Sequence, residues 1–216
     1  MATSLLGRLD DDVSDEQAAT LPVAGQTAYR ALQRGGLLLG KRVLITGAAG
    51  GVGVFAIQLA KLTGAHVTGV ARSKERREAI EALGADETLA ELKPDGPRDY
   101  DLIMEAVGGA TLGAAFSRVA KWGTIVQYGE ASEDSVSFPA GIYGTMPGVR
   151  YEPLLLFPNL MSEMAGTKTL ELLSGLVATG KLHPEIADIM DWTDTPAALE
   201  RLASRAVVGK LVLRVS

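Results

Sequence analysis

Apolar positions along the chain fall into two alternating patterns. Short, nearly continuous apolar runs that stop at glycine predict strands at Val43–Thr46, His66–Val70, Asp101–Glu105, Gly123–Tyr128 and Lys210–Val215. Between them, apolar residues three and four apart predict helices. Val52–Thr63 puts Val52, Phe55, Ala56 and Leu59 on one face, with Gln58 and Lys61 on the other. Ser73–Leu83 is charged and stops at Gly84, a helix-ending glycine; Thr111–Ala120 follows after Gly108 and Gly109. Upstream, Ser14 before Asp15, Glu16 and Gln17 reads as an N-cap, and Pro22–Arg34 is helical until Gly35 and Gly36. Residues 131–158 carry no period and predict loops with one edge strand. Beyond them, Met161–Thr179 and Pro196–Ser204 predict helices. Strands this short and apolar, alternating with helices, predict an α/β fold: a doubly wound parallel sheet covered on both faces.

Composition narrows the function. The balance of 47% hydrophobic and 22% charged residues over 216 positions excludes general disorder. A net charge of −5 argues against binding a phosphate backbone, and 5% aromatics argue against a base-stacking platform. Cysteine is absent, and the histidines are two, His66 and His183. Disulfides, thiolate nucleophiles and sulfur-ligated zinc are thereby excluded. Asp10, Asp11, Asp12, Asp15 and Glu16 stand where a signal peptide needs a basic start and an apolar core, so a cytoplasmic protein is expected. The uncharged run Val43–Ala60 has Gly47, Gly50, Gly51 and Gly53 near its middle, which reads as strand, turn and helix rather than a membrane span.

Those glycines carry the candidate chemistry. Ala48, Gly50 and Gly53 take the three positions of a dinucleotide fingerprint, between a predicted strand and a predicted helix. The second position must lack a side chain so that backbone can touch a pyrophosphate, and the third lets helix and strand pack closely. The helix N-terminus offers free N–H groups and partial positive charge to the anion. The reading is a Rossmann dinucleotide-binding fold, with Ala48 a departure at the first position. At the end of the second strand an NAD site wants a carboxylate for the ribose 2′-hydroxyl. Ala71 stands there, followed by Arg72, Ser73, Lys74, Arg76 and Arg77, cations that suit a 2′-phosphate and so NADP(H). Two G-x-x-x-x-G-K matches, at Gly35–Lys41 and Gly175–Lys181, are followed by Arg42 and Leu182 where a P-loop needs Ser or Thr. No tyrosine has a lysine four residues on, and no G-x-S-x-G or H-E-x-x-H occurs.

Read in order, Leu21-Pro22-Val23-Ala24-Gly25-Gln26-Thr27-Ala28-Tyr29, Gly40-Lys41-Arg42-Val43-Leu44-Ile45, Ala48-Ala49-Gly50-Gly51-Val52-Gly53, Leu83-Gly84-Ala85-Asp86 and Gly209-Lys210-Leu211-Val212-Leu213 resemble the medium-chain dehydrogenase/reductase superfamily. They look most like its zinc-free quinone oxidoreductase branch. The resemblance implies NADPH-dependent reduction of quinones, enones or related carbonyls. It places Thr27 near the nicotinamide and Ala48, Ala49, Gly50, Gly51, Val52 and Gly53 around the pyrophosphate. Arg72, Ser73, Lys74 and Arg76 fall at the 2′-phosphate, and Val107, Gly108, Tyr128 and Gly129 at carboxyl ends of strands. It also implies a homodimer, through an edge strand within Thr145–Phe157. Gln26 departs from the family, which commonly has an apolar residue there. The family's catalytic domain, about a hundred residues long, is expected to be missing ahead of this chain. The expected organisation is a lead-in segment and helix at 1–36, an NADP-binding domain at 37–180 and a C-terminal segment at 181–216.

Hydride transfer asks little acid–base equipment of the protein, since the nicotinamide carries the chemistry. Tyr128, Tyr143 and Glu130 are the residues that could relay a proton, and none is singled out as catalytic. Two functions follow: an NADPH-dependent oxidoreductase or its cofactor-binding domain, acting on a small carbonyl or quinone; or a module that binds NADPH without turnover, such as one half of a split enzyme. Neither involves nucleic acid or a membrane.

Overall fold

The computed structural model describes residues 5–139, 141–163 and 166–215, and of residues 142, 143, 162 and 163 the backbone only. Helix α1 (Asp15–Thr20) starts at a capping box: the Ser14 hydroxyl accepts from the Gln17 N–H, and the Gln17 side chain accepts from the Ser14 N–H at 3.0 Å. It runs without a break through a π-helical turn at Leu21–Gly25 into α2 (Gln26–Gln33). The helix expected from Pro22 is therefore the second half of a longer one, with Pro22 inside it at the π-helical turn.

Strands β1 (Arg42–Ile45), β2 (His66–Val70), β3 (Glu87–Leu89), β4 (Tyr100–Glu105), β5 (Val119–Gln127) and β6 (Arg150–Pro153) form one sheet in the order β3-β2-β1-β4-β5-β6. Every pairing is parallel. The crossovers are α3 (Gly53–Leu62), α4 (Lys74–Ala82) and α5 (Gly109–Arg118), followed between β5 and β6 by a single turn, α6 (Ile142–Thr145). The strand period of two sorts the core. Val43, Ile45, Leu102 and Met104 face one layer with Phe55 and Ile57 of α3, Ala28 and Ala31 of α2 and Ile80 of α4. Leu44, Ile103 and Ile125 face the other with Leu112 and Ala115 of α5.

Helices α7 (Leu156–Glu163) and α8 (Gly166–Ala178) stand where one helix over Met161–Thr179 is expected, and residues 164 and 165, between them, lie outside the described residues. Two strands escape the sequence pattern. Strand β3 has three residues and no apolar run, and β7 (Ile186–Asp191) mixes apolar and acidic residues on both faces. After α9 (Thr195–Ala203), strand β8 (Lys210–Arg214) pairs with β7 in a separate two-stranded parallel sheet. Among the described residues no helix is long and apolar enough to cross a membrane.

Candidate functional site

The chain leaves β3 at one edge and re-enters the sheet as β4 on the far side of β1, so the strand order reverses between β1 and β4. Ligands of open parallel sheets bind at the carboxyl ends of strands at such a switch point. The turn after β1 is the glycine cluster. Gly47 takes the left-handed conformation at φ 58°, so the tight turn rests on Gly47, and Ala48 is free to be buried. The Gly50 N–H donates to the Gly47 carbonyl at 2.8 Å, and the Gly50 carbonyl receives the Val54 N–H at 3.1 Å as α3 begins. A Cβ added to Gly53 would lie 2.4 Å from the Ala48 carbonyl oxygen, so this position must be glycine for α3 to start so close to the turn. Gly50 faces solvent, and among the described residues no acceptor meets the N–H groups of Val52 and Gly53.

Gly51 is glycine for a different reason. A Cβ there would come within 2.5 Å of Cδ and 3.4 Å of Nζ of Lys210, whose side chain lies across the turn. Among the described residues the Lys210 ammonium has no hydrogen-bond or ion-pair partner. A cation held at the positive end of a helix, beside free N–H donors, fits an anion shared by all of them. The segment leading to Lys210 is pinned along the carboxyl edge. Arg205 Nη2 donates to the Ala131 carbonyl at 3.1 Å, Arg76 Nη2 to the Val207 carbonyl at 3.2 Å, and the Gly209 N–H to the Ala49 carbonyl at 3.0 Å. Lys210 was missed because it lies far down the chain in a strand-like run; the isolated bridge between Gly50 and Gly209 brings it back.

The basic group after β2 divides. Arg72 and Lys74 are exposed, Lys74 facing Glu78 at 3.5 Å. The Ser73 hydroxyl caps α4, accepting the Arg76 N–H at 3.3 Å. Arg77 turns inward and donates to the carbonyls of Ala71 and Arg72 at 3.2 and 2.7 Å.

After β4 the chain folds around a carboxylate that sequence reasoning overlooked. Glu105 is wholly buried. One oxygen accepts the Val107 N–H at 2.8 Å and the Thr46 hydroxyl at 3.1 Å; the other accepts the Gly108 N–H at 3.0 Å. Burial raises its pKa, against the opposing pull of those hydrogen bonds. Gly108 permits the turn with φ 79°. Tyr128, after β5, donates its hydroxyl to the Thr46 carbonyl at 3.3 Å; burial, and then the nearby Glu105 charge, push its phenol well above the usual range. A Cβ on Gly129 would stand 3.0 Å from the Ala106 carbonyl. Glu130 is exposed, and the side chain of Tyr143 lies outside what is described.

Thr27 is buried on α2, which packs against α3, α8 and β4. Ala48–Gly53, Arg72–Arg76, Val107–Gly108 and Tyr128–Gly129 thus all follow carboxyl ends of the sheet's strands. The histidines stand apart: His66 opens β2 at the opposite edge with Nε2 3.1 Å from Glu87, and the His183 N–H donates to Gln58. Among the described residues no group of three His, Asp or Glu could hold a metal ion.

The fold places the chain in the Rossmann-like α/β class, and comparison with known proteins places it more narrowly. The family described as zinc-binding dehydrogenase matches residues 51–145. The chain is 34% identical to the mitochondrial NAD(P)H oxidoreductase RTN4IP1 of Bos taurus, over 92% of this chain and 55% of that protein. It is 31% identical to the acryloyl-coenzyme A reductase of Metallosphaera sedula, over 98% of this chain and 61% of that one. The crystal structure of a quinone oxidoreductase from Pseudomonas syringae superposes with a TM-score of 0.81 at 30% identity, over 98% of this chain and 68% of that chain. The chain belongs to the medium-chain dehydrogenase/reductase superfamily. It spans 55% and 61% of the two curated relatives. The zinc in the family's description finds no fitting ligand set among the described residues.

Proposed function

We propose that the chain binds NADP(H) along the carboxyl edge of its sheet and is the cofactor-binding part of an NADPH-dependent oxidoreductase. The reaction class is hydride transfer to a small quinone, enone or carbonyl. The observation that carries this reading is the turn at Gly47–Gly53. Its open face, free N–H groups and overlying Lys210 ammonium make a cradle for a diphosphate where the strand order reverses. When bound, the nicotinamide supplies the hydride chemistry. The protein's part is placement. Ala49–Gly53 and Lys210 hold the diphosphate, and Arg72 and Lys74 hold the 2′-phosphate beside the capped start of α4. The turns at Val107–Gly108 and Tyr128–Gly129 wall the cleft. Residues 37–180 form the cofactor domain in this reading, with 1–36 and 181–216 flanking it in the chain, and a second copy pairs along β6.

Titration calorimetry with NADPH and NADH tests the reading. NADPH should bind with the higher affinity, and Arg72→Ala combined with Lys74→Ala should weaken NADPH at least tenfold while changing NADH little. Equal losses for both coenzymes would refute the 2′-phosphate assignment, and no heat with either would refute the function.

Binding without turnover is a second reading, favoured by one observation. Two ionisable groups at this edge, buried Glu105 and half-buried Tyr128, are engaged internally, Glu105 by three donors and Tyr128 by the Thr46 carbonyl, which leaves neither free to pass a proton. NADPH oxidation with a test quinone separates the two: turnover by this chain supports the first, tight binding with no turnover the second.

A further inference from the structure

Gln26 is buried to 3% exposure at the first turn of α2, and its side-chain oxygen has no hydrogen-bond partner among the described residues. The orientation of the amide is settled by its other end. Nε2 donates to the Pro22 carbonyl at 3.1 Å, and a carbonyl can only accept, so the orphan is the oxygen. A buried acceptor without a donor is destabilising. A leucine of similar volume would carry no such penalty. The π-helical turn at Leu21–Gly25 lies immediately before Gln26, and π turns inside helices are common at functional sites.

Position says where a donor would come from. The far end of α2 is tied to the middle of β4: a Cβ on Gly35 would touch Leu102, three residues before the strand's carboxyl end at Glu105. Eight residues of helix span about 12 Å, the rise of three to four strand residues. Running back up α2 from that tie therefore reaches the level of Thr46 and Glu105, at the carboxyl edge. Side chains on a helix lean toward its N-terminus, as the bond from Gln26 to Pro22 shows, so the amide lies at or above that edge.

We propose that Gln26 Oε1 is a ligand-directed acceptor, completed by an N–H donor that a bound ligand brings to the carboxyl edge. The inference rests on the proposed function, which supplies such a donor in the carboxamide of the nicotinamide. Gln26 then selects ligands that carry a donor at that end, and the ligand-free protein holds an unmet acceptor ready for it.

Gln26→Met keeps the length of the side chain and removes the amide; Gln26→Leu is a second variant should Met fold poorly. Each is compared with the unaltered chain by thermal unfolding without ligand, and by calorimetry with NADPH and with 2′,5′-ADP, which lacks the nicotinamide. Thermal unfolding checks that each variant folds cooperatively, and the proposal expects NADPH affinity lower by about three- to tenfold with 2′,5′-ADP affinity unchanged. Unchanged NADPH affinity overturns it, and so does an equal loss for both ligands, which would mark a structural role. Failure of the unaltered chain to bind NADPH is a different result, and removes the proposed function itself.

Discussion

Gly51 and Gly53 stand two residues apart and are glycine for unrelated reasons. At Gly53 the obstacle to a side chain is backbone, the Ala48 carbonyl, which cannot move without undoing the turn. At Gly51 it is the stem of Lys210, which can swing aside. Gly53→Ala should therefore destabilise the protein by about 1–3 kcal/mol in urea unfolding, and Gly51→Ala by less. Glu105 makes a prediction of opposite sign to that of a surface carboxylate. Its folded pKa is raised above the ordinary 4.5, chiefly by burial. Below 4.5 both states hold the proton. Above it the unfolded chain loses its proton first, so this group's share of stability falls as pH rises, until the folded carboxyl ionises too. Glu87 works the other way. The hydrogen bond from His66 leads the influences that lower its pKa, so its stabilisation is complete above the ordinary value and is lost as acid protonates it. Urea unfolding from pH 4 upward should show a declining contribution that Glu105→Gln removes and Glu87→Gln leaves in place.

At the scale of elements, caps and turns decide what the carboxyl edge can hold. The Ser73 hydroxyl caps α4 directly after β2, where the proposed function puts the 2′-phosphate. Ser73→Ala should cost about 1 kcal/mol and loosen the turn that carries Arg72 and Lys74. NADPH affinity should fall with it while NADH affinity holds, measurable in one calorimetric series. In the first half of the chain β1, β2 and α3 were readable because they are covered, and α4 because the Ser73 cap and the Gly84 stop bound it. Strand β2 was placed to the residue, and α3 and α4 within one residue at each end. Where coverage is partial the pattern fades: β3 is a three-residue strand with no fully buried position, and β7 presents a single layer to β8. Strand β5 begins at Val119, four residues before its apolar run. Trp122, with φ 64°, breaks that entry, which explains why the preceding helix was read as reaching Ala120 when it ends at Arg118.

For the whole molecule, the open question is what covers the outer edge of the sheet. Strand β6 pairs with β5 on one side, and Tyr151, Leu155, Phe157 and Met161 on and after it are exposed. An edge strand beside exposed apolar side chains is a template for a second chain. A dimer is the expected result of sedimentation velocity on the unaltered protein. Leu155→Asp with Phe157→Asp should yield a monomer of unchanged fold, because both side chains already face solvent in the single chain.

Local chemistry was enough to determine the alternation of strands and helices, the place of the glycine turn between β1 and α3, and the cations after β2. Each depends on residues within a few positions of one another, through period, backbone freedom and charge. Three features were decided only by the tertiary structure: Lys210 lying across Gly51, the Glu105 carboxylate gathering Thr46, Val107 and Gly108, and the unmet oxygen of Gln26. Each depends on which groups share a desolvated space, and that is set by strand order and crossover rather than by neighbours in the chain. An ionisable or amide side chain takes on its chemical meaning from the dielectric and the hydrogen-bond partners around it, and those exist only once the sheet has closed.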